Sequence, residues 1–279
     1  MSDAPLPTGY GFLDAPALLA VVNSTGAPLS GFLINMGCVP SFGEDGERKL
    51  KKPADDVTPL WHAGYRGVNF DIPSSLPSLK FLQRWAPKSV VDARGILPSG
   101  FAAALEAHGT PKGSGLDFLK IDIDSFDCDY LEVVLHAGYR PKVIMMEATT
   151  AYPPPLKFWL RFSSNFSYAA STGTPISGCS LQTISDLLGE EYVLVQYALE
   201  DAWFVQRRYA HGFGPIEPSL LKHYVAGNPR TYGAWPAMQQ KLLAAAGSPK
   251  RMLKMAQGAL DVVLDLKPRL KTGNFQLGL

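Results

Sequence analysis

Cysteine is scarce in this 279-residue sequence, and net charge is almost absent. The three cysteines, Cys38, Cys128 and Cys179, lie far apart and lack the spacing of a metal site. We therefore expect free thiols, no disulfide framework and a reducing intracellular compartment, either the cytoplasm or an organelle matrix after removal of a presequence. The 26 basic and 25 acidic residues give a formal charge of +1, which does not favour nucleic acid as a partner.

Long hydrophobic runs are also missing. The apolar run "APALLAVV" near the N-terminus is too short to span a bilayer, and no basic segment precedes it. We therefore expect neither a transmembrane segment nor a secretory signal. The hydrophobic content of 46% is nevertheless high enough for one large domain, or for one domain with appendages.

Short apolar runs are present, and they alternate with stretches of helical pattern. The runs lie at residues 31–37, 66–73, 89–98, 117–124 and 142–150. This alternation predicts an α/β fold with a Rossmann-like, doubly wound and mostly parallel sheet. Two further β-rich runs flank a "LED" turn within residues 191–209 and predict a terminal antiparallel hairpin.

The remaining segments predict the domain organisation. Residues 1–30 are expected to form an N-terminal extension, 31–211 the α/β domain and 212–279 a helical tail. In "SLQTISDLLGEE", Ser180 is a predicted helix N-cap and Gly189 the stop. An apolar stripe at helical spacing in the tail is expected to pack on the domain or on a protein partner; its members are Met252, Met255, Ala259, Val262, Val263 and Leu266.

Acidic residues cluster where predicted strands end. Asp71 falls at the end of the second strand, Asp122 and Asp124 at the end of the fourth, and Glu147 near the end of the fifth. Ligands of doubly wound sheets lie outside the carboxyl ends of the strands, so we expect these acids to form a site. Asp122 lies inside the fourth predicted strand, between Ile121 and Ile123, so we expect it to point to the same face as Asp124.

Two further acids have a simpler explanation. Asp127 and Asp129 come at the start of the helix predicted after the fourth strand. Acidic side chains in the first turn complement the helix dipole, so we expect both residues to stabilise that helix.

The central block of the sequence resembles a known family. "LDFLKIDIDSFDCDYLEVVLHAGYRPKVIMMEA" is similar to the "LKIDvEG" core of FkbM-type methyltransferases. The later segments "AYPPPLKF" and "SGCSL" resemble the corresponding parts of uncharacterised relatives, so that the similarity covers roughly residues 31–210. The resemblance implies a class I methyltransferase fold and methyl transfer from S-adenosylmethionine, with an oxygen atom as the expected acceptor.

The resemblance also implies roles for individual residues. Asn35, Gly37 and Gly46 would belong to the cofactor turn, which Pro40 and additional residues lengthen here. Asp71 would bind the ribose hydroxyls of the cofactor. Asp122 and Asp124 would orient the methionine ammonium group or the acceptor hydroxyl, which makes them the predicted catalytic pair.

Substrate binding is assigned to two residues around the fifth strand. Glu147 lies at its end, and Tyr152 in "YPPPLKFW" would form a wall of the pocket for a small-molecule acceptor. The alternative for this segment is a stiff loop in which Tyr152, Phe158 and Trp159 pack as core residues.

Two other functions stay open at this point. The interrupted cofactor turn is also typical of a catalytically degenerate methyltransferase-fold subunit within a larger assembly. The "IDID" segment resembles the D-x-D motif of metal-dependent glycosyltransferases, in which Asp122 and Asp124 would hold Mn²⁺ or Mg²⁺.

Overall fold

A computed structural model gives the fold of most of the chain. The residues it describes are 13–37, 55–166, 171, 173–228, 235–267, 270 and 273–279. Gly46 and Cys38 therefore lie outside the described residues. The architecture is α/β, with a mostly parallel seven-stranded sheet, a separate two-stranded antiparallel sheet and helices near the C-terminus.

The large sheet has the strand order β3-β2-β1-β4-β5-β8-β7. Its strands are β1 (Phe32–Met36), β2 (Arg66–Phe70), β3 (Ser89–Asp92), β4 (Phe118–Ile121), β5 (Val143–Glu147), β7 (Tyr192–Ala198) and β8 (Asp201–Gln206). Strand β1 pairs in parallel with β2 and β4, β2 pairs in parallel with β3, and β7 pairs with β8 as an antiparallel hairpin. The five predicted strands and the hairpin are thus confirmed, although the strands are shorter than predicted.

Burial explains why the central strands read as continuous apolar runs. All five residues of β1 and all four of β4 are buried, as expected for parallel strands that are covered on both faces. Gly67 in β2 permits the close approach of β1, because a Cβ atom at this position would lie 1.8 Å from the carbonyl oxygen of Leu33.

Nine described α-helices precede, connect or follow these strands. They are α1 (Ala15–Ser24), α2 (Thr58–His62), α3 (Leu76–Trp85), α4 (Pro98–Ala107), α5 (Asp127–His136), α6 (Leu181–Leu188), α7 (Leu220–Gly227), α8 (Pro236–Ala244) and α9 (Pro249–Leu266). The prediction for α6 is confirmed, because the Ser180 hydroxyl accepts a hydrogen bond from the Thr183 amide and Gly189 ends the helix with φ of 53°. Asp127 and Asp129 lie in the first turn of α5, as predicted.

By its internal contacts the described chain divides into two compact units. The first contains the described residues up to Asp122 together with Val133–Met145. The second contains Ile123–Glu132 and the described residues from Met146 onward. The first unit therefore holds β1 to β4, and the second holds the hairpin and the C-terminal helices.

The second unit contains a small sheet that the sequence analysis did not predict. Strand β6 (Lys157–Arg161) pairs antiparallel with β9 (Asn274–Gly278). The alternation of burial along β6 is regular, with Phe158 and Leu160 fully buried. The interpretation of "YPPPLKFW" as a loop was therefore wrong for its second half. More than a hundred residues separate the two strands, so no local sequence pattern predicts their pairing.

The C-terminal helices α8 and α9 pack into a hydrophobic cluster of the same unit. The cluster also contains Tyr152 and Phe158, so the tail packs on the protein itself, which was one of the two expectations. The buried face of α9 is formed by Met252, Ala256, Leu260 and Val263. The predicted stripe was partly wrong, since Val262 and Leu266 are 54% and 75% exposed.

The expectation of free thiols and no disulfide is also wrong. Cys128, in the first turn of α5, forms a disulfide with Cys179, which immediately precedes the N-cap of α6. Both cysteines are buried. The bond was not predicted because the two cysteines are 51 residues apart and their spacing matches no recognisable pairing pattern.

No helix among the described residues is both long enough and apolar enough to cross a bilayer.

The disulfide yields a prediction about stability. Because it closes a loop of about 50 residues, loss of the bond should lower the free energy of unfolding by up to about 4 kcal/mol, mostly through the entropy of the unfolded chain. Cys128→Ala and Cys179→Ala should lose similar amounts in urea unfolding, and the double variant should lose no more than either. Thiol titration of the unfolded, unreduced protein should find one of the three cysteines; finding three thiols would contradict the pairing.

Candidate functional site

The carboxyl ends of β1, β2 and β4 lie next to one another in the first unit. Strand β1 is the central one of the three, and Gly37, which has a positive φ of 76°, directly follows it. Asp71 directly follows β2 and Asp122 directly follows β4. The Gly37 amide donates to the Phe70 carbonyl at 3.2 Å, and the Asp122 amide donates to the Met36 carbonyl at 3.2 Å. These bonds hold the three strand ends side by side.

A row of buried polar side chains crosses the same three strands. In the register of the sheet, Asn35 of β1 is the partner of Asn69 of β2 and of Lys120 of β4. Partners in register point to the same face of a sheet. The Asn35 amide nitrogen donates to the Asn69 side-chain oxygen at 3.1 Å and to the Asp55 carboxylate at 2.8 Å. All four residues are at least 95% buried.

The ammonium group of Lys120 is the positive centre of this cluster. It donates to the Gly37 carbonyl oxygen at 2.9 Å and forms an ion pair with the Asp122 carboxylate at 2.9 Å. A carboxylate oxygen of Asp55 lies 3.9 Å away. Lys120 therefore contacts Gly37 and Asp55, the two residues that flank segment 38–54. The segment itself lies outside the described residues.

Negative charge exceeds positive charge in this cluster. Among the described residues, the carboxylates of Asp55 and Asp122 lie within 4 Å of the Lys120 ammonium group, and Asp56 interacts with it electrostatically. Although Asp56 is exposed at the surface, the protein around its carboxyl group raises its pKa, chiefly by removing water. Lys120 lowers the pKa of Asp56, and the charges of Asp55 and Asp122 raise it further. The cluster is thus electrostatically suited to a cationic group.

The sequence analysis missed most of this cluster. Of its members it had assigned a role only to Asn35, Gly37 and Asp122. Lys120 could have been found, because a lysine within the buried run "FLKI" demands a partner. Asp55 could not have been found in this way, because only the fold brings it to Asn35, twenty residues away.

Asp71 occupies its predicted place after β2, and its carboxylate is already engaged locally. One carboxylate oxygen accepts hydrogen bonds from the Ile72 amide at 2.7 Å and from the Ser75 hydroxyl at 2.9 Å. These bonds fix the side chain at the start of the short 3₁₀ helix Pro73–Ser75. The Asp71 carboxylate is therefore oriented by the protein.

The expectation that Asp122 and Asp124 lie within one strand is wrong. Strand β4 ends at Ile121, so the two aspartates are not alternate positions of one strand. Asp124 instead adopts a left-handed backbone conformation, with φ of 59°. The Asp127 carboxylate accepts hydrogen bonds from the Ile123 and Ser125 amides at 2.9 and 3.0 Å, which fixes this turn in the second unit.

The two predicted substrate residues belong to the second unit. Glu147 is the last residue of β5, as predicted. Tyr152 is fully buried and stacks on Phe158, with ring centroids 4.3 Å apart. Burial raises the pKa of its hydroxyl group well above the usual range. This environment is that of a core residue, and the role of Tyr152 in an acceptor pocket stays a prediction.

The end of β3 also carries an acid, Asp92, whose negative charge is paired with a neighbouring cation. Asp92 is the last residue of β3 and accepts hydrogen bonds from the Arg94 guanidinium group at 2.5 and 2.7 Å. The Nε2 atom of His108 lies 2.8 Å from the same carboxylate. The bonds from Arg94, followed by the bond to His108, lower the pKa of Asp92 to about 2 although burial opposes the shift. Asp92 is therefore a structural acid.

Neither a metal site nor a known relative identifies the function of these strand ends. Within the described parts of the chain, no group of three or more His, Cys, Asp or Glu side chains is placed to hold a metal ion. No protein-family model matches the chain, and no curated protein matches it significantly in sequence. The likeness to FkbM-type methyltransferases therefore depends on the short motifs alone.

The Asp92 cluster gives a prediction about pH. The folded-state pKa of about 2 lies below the value of about 3.9 in an unfolded chain. The ion pair therefore stabilises the protein above about pH 4, and the stabilisation of about 2 kcal/mol is lost as the pH falls toward 2. In urea unfolding from pH 7 to pH 2, Asp92→Asn should lack this component of the acid sensitivity. Asp261→Asn, at an exposed site on α9, is the control and should behave like wild type.

Proposed function

We propose that the chain is an S-adenosylmethionine-dependent methyltransferase of the FkbM-like type, with O-methyl transfer as the expected reaction. The observation that carries the proposal is the arrangement of Asp71 and Asp122 on either side of Gly37. They follow the two strands that flank β1, and β1 itself is followed by a glycine of positive φ. The acceptor in this proposal is a small molecule.

The strand order supports a Rossmann-like, doubly wound interpretation of the fold. In such sheets the chain order reverses next to the first strand, and ligands lie at the carboxyl ends there. Here β2 lies on one side of β1 and β4 on the other. The antiparallel strand β8 lies between β5 and β7, an order typical of class I methyltransferases.

The residues of the first unit fit the chemical groups of the cofactor. A carboxylate fixed like that of Asp71 accepts hydrogen bonds from a pair of ribose hydroxyls. The backbone at Gly37 has no side chain to prevent close approach of a ligand. The negative excess around Asp122 suits the ammonium group of the methionine part. When bound, S-adenosylmethionine would supply an activated methyl group, and the main contribution of the protein would be alignment of the reactants.

The disulfide changes the proposed cellular compartment from a reducing to an oxidising one. Disulfides persist mainly in oxidising compartments. The Cys128–Cys179 bond therefore favours such a compartment over the reducing one that cysteine spacing had indicated.

A second candidate is a catalytically degenerate subunit with the same fold. One observation favours it: Asn35, Asp55, Lys120 and Asp122 bind one another, and Asp71 binds its own neighbours. In this candidate the polar cluster only stabilises the fold. Protein partners would then bind the C-terminal helices, where Val262 and Leu266 expose apolar surface on α9.

Calorimetric titration with S-adenosylhomocysteine distinguishes the two candidates. For the proposed enzyme we expect micromolar binding by wild type. Asp71→Ala and Asp122→Ala should each weaken binding about tenfold or more, because each removes a charged hydrogen-bond acceptor.

Asp261→Ala is the matched control, since it removes an exposed carboxylate that accepts only a local hydrogen bond from Gln257. It should leave the affinity unchanged. A folded wild-type protein that gives no heat at millimolar ligand would overturn the methyltransferase proposal and favour the degenerate subunit.

A further inference from the structure

Two buried lysine–aspartate pairs lie at opposite ends of β4. At its amino end, Lys142 forms an ion pair with Asp117 at 2.6 Å, and the two side chains are 3% and 0% exposed. At its carboxyl end, Lys120 forms an ion pair with Asp122 at 2.9 Å, and the lysine side chain is 4% exposed. The two lysines are thus alike in burial and in partner, and they differ in what surrounds them.

The surroundings of Lys142 are those of a structural pair. The Asp117 carboxylate also accepts hydrogen bonds from the Ser30 and Gly31 amides at 3.1 and 2.7 Å. The ammonium group of Lys142 also donates to the Ser114 carbonyl oxygen. Every group in this pair has a partner within the fold, and the aspartate is fully buried.

The Lys120 pair differs because its aspartate reaches solvent. The Asp122 side chain is 34% exposed, whereas the lysine that orients it is buried. Lys120 also fixes the carbonyl of Gly37, the residue that directly follows β1. One ammonium group therefore sets the positions of two of the groups that would contact the cofactor.

We propose that Lys120 is a positioning residue of the cofactor site, acting through the Asp122 carboxylate and the Gly37 carbonyl. This inference rests on the proposed function. Without the ammonium group, the buried Gly37 carbonyl loses a charge-assisted hydrogen bond, and the Asp122 carboxylate loses the partner that orients it. Both changes displace groups that must be in place before the ligand binds, so the affinity falls.

The experiment measures the dissociation constant of S-adenosylhomocysteine by calorimetry for wild type, Lys120→Met and Lys142→Met. This ligand is chosen because its amino-acid part is a zwitterion with no sulfonium charge. By charge alone, removal of the Lys120 ammonium group would tighten the binding of a ligand ammonium group near Asp122, so weaker binding would report lost positioning. We expect Lys120→Met to weaken binding about tenfold to a hundredfold, the range of a charge-assisted hydrogen bond.

Lys142→Met is the matched control for the loss of a buried lysine. Urea unfolding should show that both variants are destabilised, because each leaves a carboxylate without its ionic partner. The affinity of Lys142→Met should nevertheless stay within about twofold of wild type. If Lys120→Met and Lys142→Met lose affinity equally, the effect of Lys120 is structural and the inference is overturned.

A double-mutant cycle tests whether Lys120 acts through Asp122. The loss of affinity in Lys120→Met/Asp122→Asn should be smaller than the product of the two single losses, since part of the effect of Lys120 is exerted through Asp122. Independent losses that multiply would contradict the inference. If Lys120→Met does not fold, Lys120→Gln and Lys142→Gln replace the two variants, because each removes the charge and keeps a polar side chain.

The outcomes separate this inference from the proposed function. If wild type binds the ligand and the dissociation constant of Lys120→Met is unchanged or lower, only the inference about Lys120 is overturned. Absence of binding by folded wild type overturns both the role and the methyltransferase proposal.

Discussion

The ammonium group of Lys120 is the interaction on which the centre of the sheet depends. It sits in a buried row with Asn35 and Asn69 across three parallel strands, where nearly all other side chains are apolar. An unpaired charge in such a place is strongly unfavourable. Its partners, the Gly37 carbonyl and the carboxylates of Asp122 and Asp55, must therefore be in place whenever the chain is folded.

This requirement links folding to the geometry of the strand ends. A buried ion pair is weak evidence for stability, because desolvation offsets much of the attraction. The ion pair does disfavour other registers of the strands. A one-residue slip of β4 against β1 would turn Lys120 to the other face of the sheet, away from Asn35 and Asp55. The polar row thus specifies the register that places Asp71, Gly37 and Asp122 side by side.

The sequence predicted the parts of this arrangement that depend on local pattern. Alternating apolar runs located β1 to β5, and the acids Asp71 and Asp122 were found because each falls near the end of a predicted strand. The failures occurred where distant segments meet. The pairing of β6 with β9, the Cys128–Cys179 bond and the contact of Asp55 with Asn35 all join residues that no local pattern connects. The end of β4 was misjudged because Ile123 continues the alternation of the strand, whereas the left-handed backbone of Asp124 does not.

The charge of the cluster restricts which ligand the strand ends would accept. Among the described residues at these strand ends, the carboxylates of Asp55, Asp56 and Asp122 outnumber the ammonium group of Lys120, which disfavours a pyrophosphate group. Pyrophosphate groups bind helix N-termini and glycine-rich loops where backbone amides are free. The raised pKa of Asp56 is caused chiefly by loss of water and is opposed by Lys120; a smaller contribution comes from repulsion by the Asp55 and Asp122 carboxylates. A ligand with an ammonium or sulfonium group would relieve it. The same fold can serve dinucleotide or methyl-donor cofactors, and this local excess of negative charge favours the methyl donor.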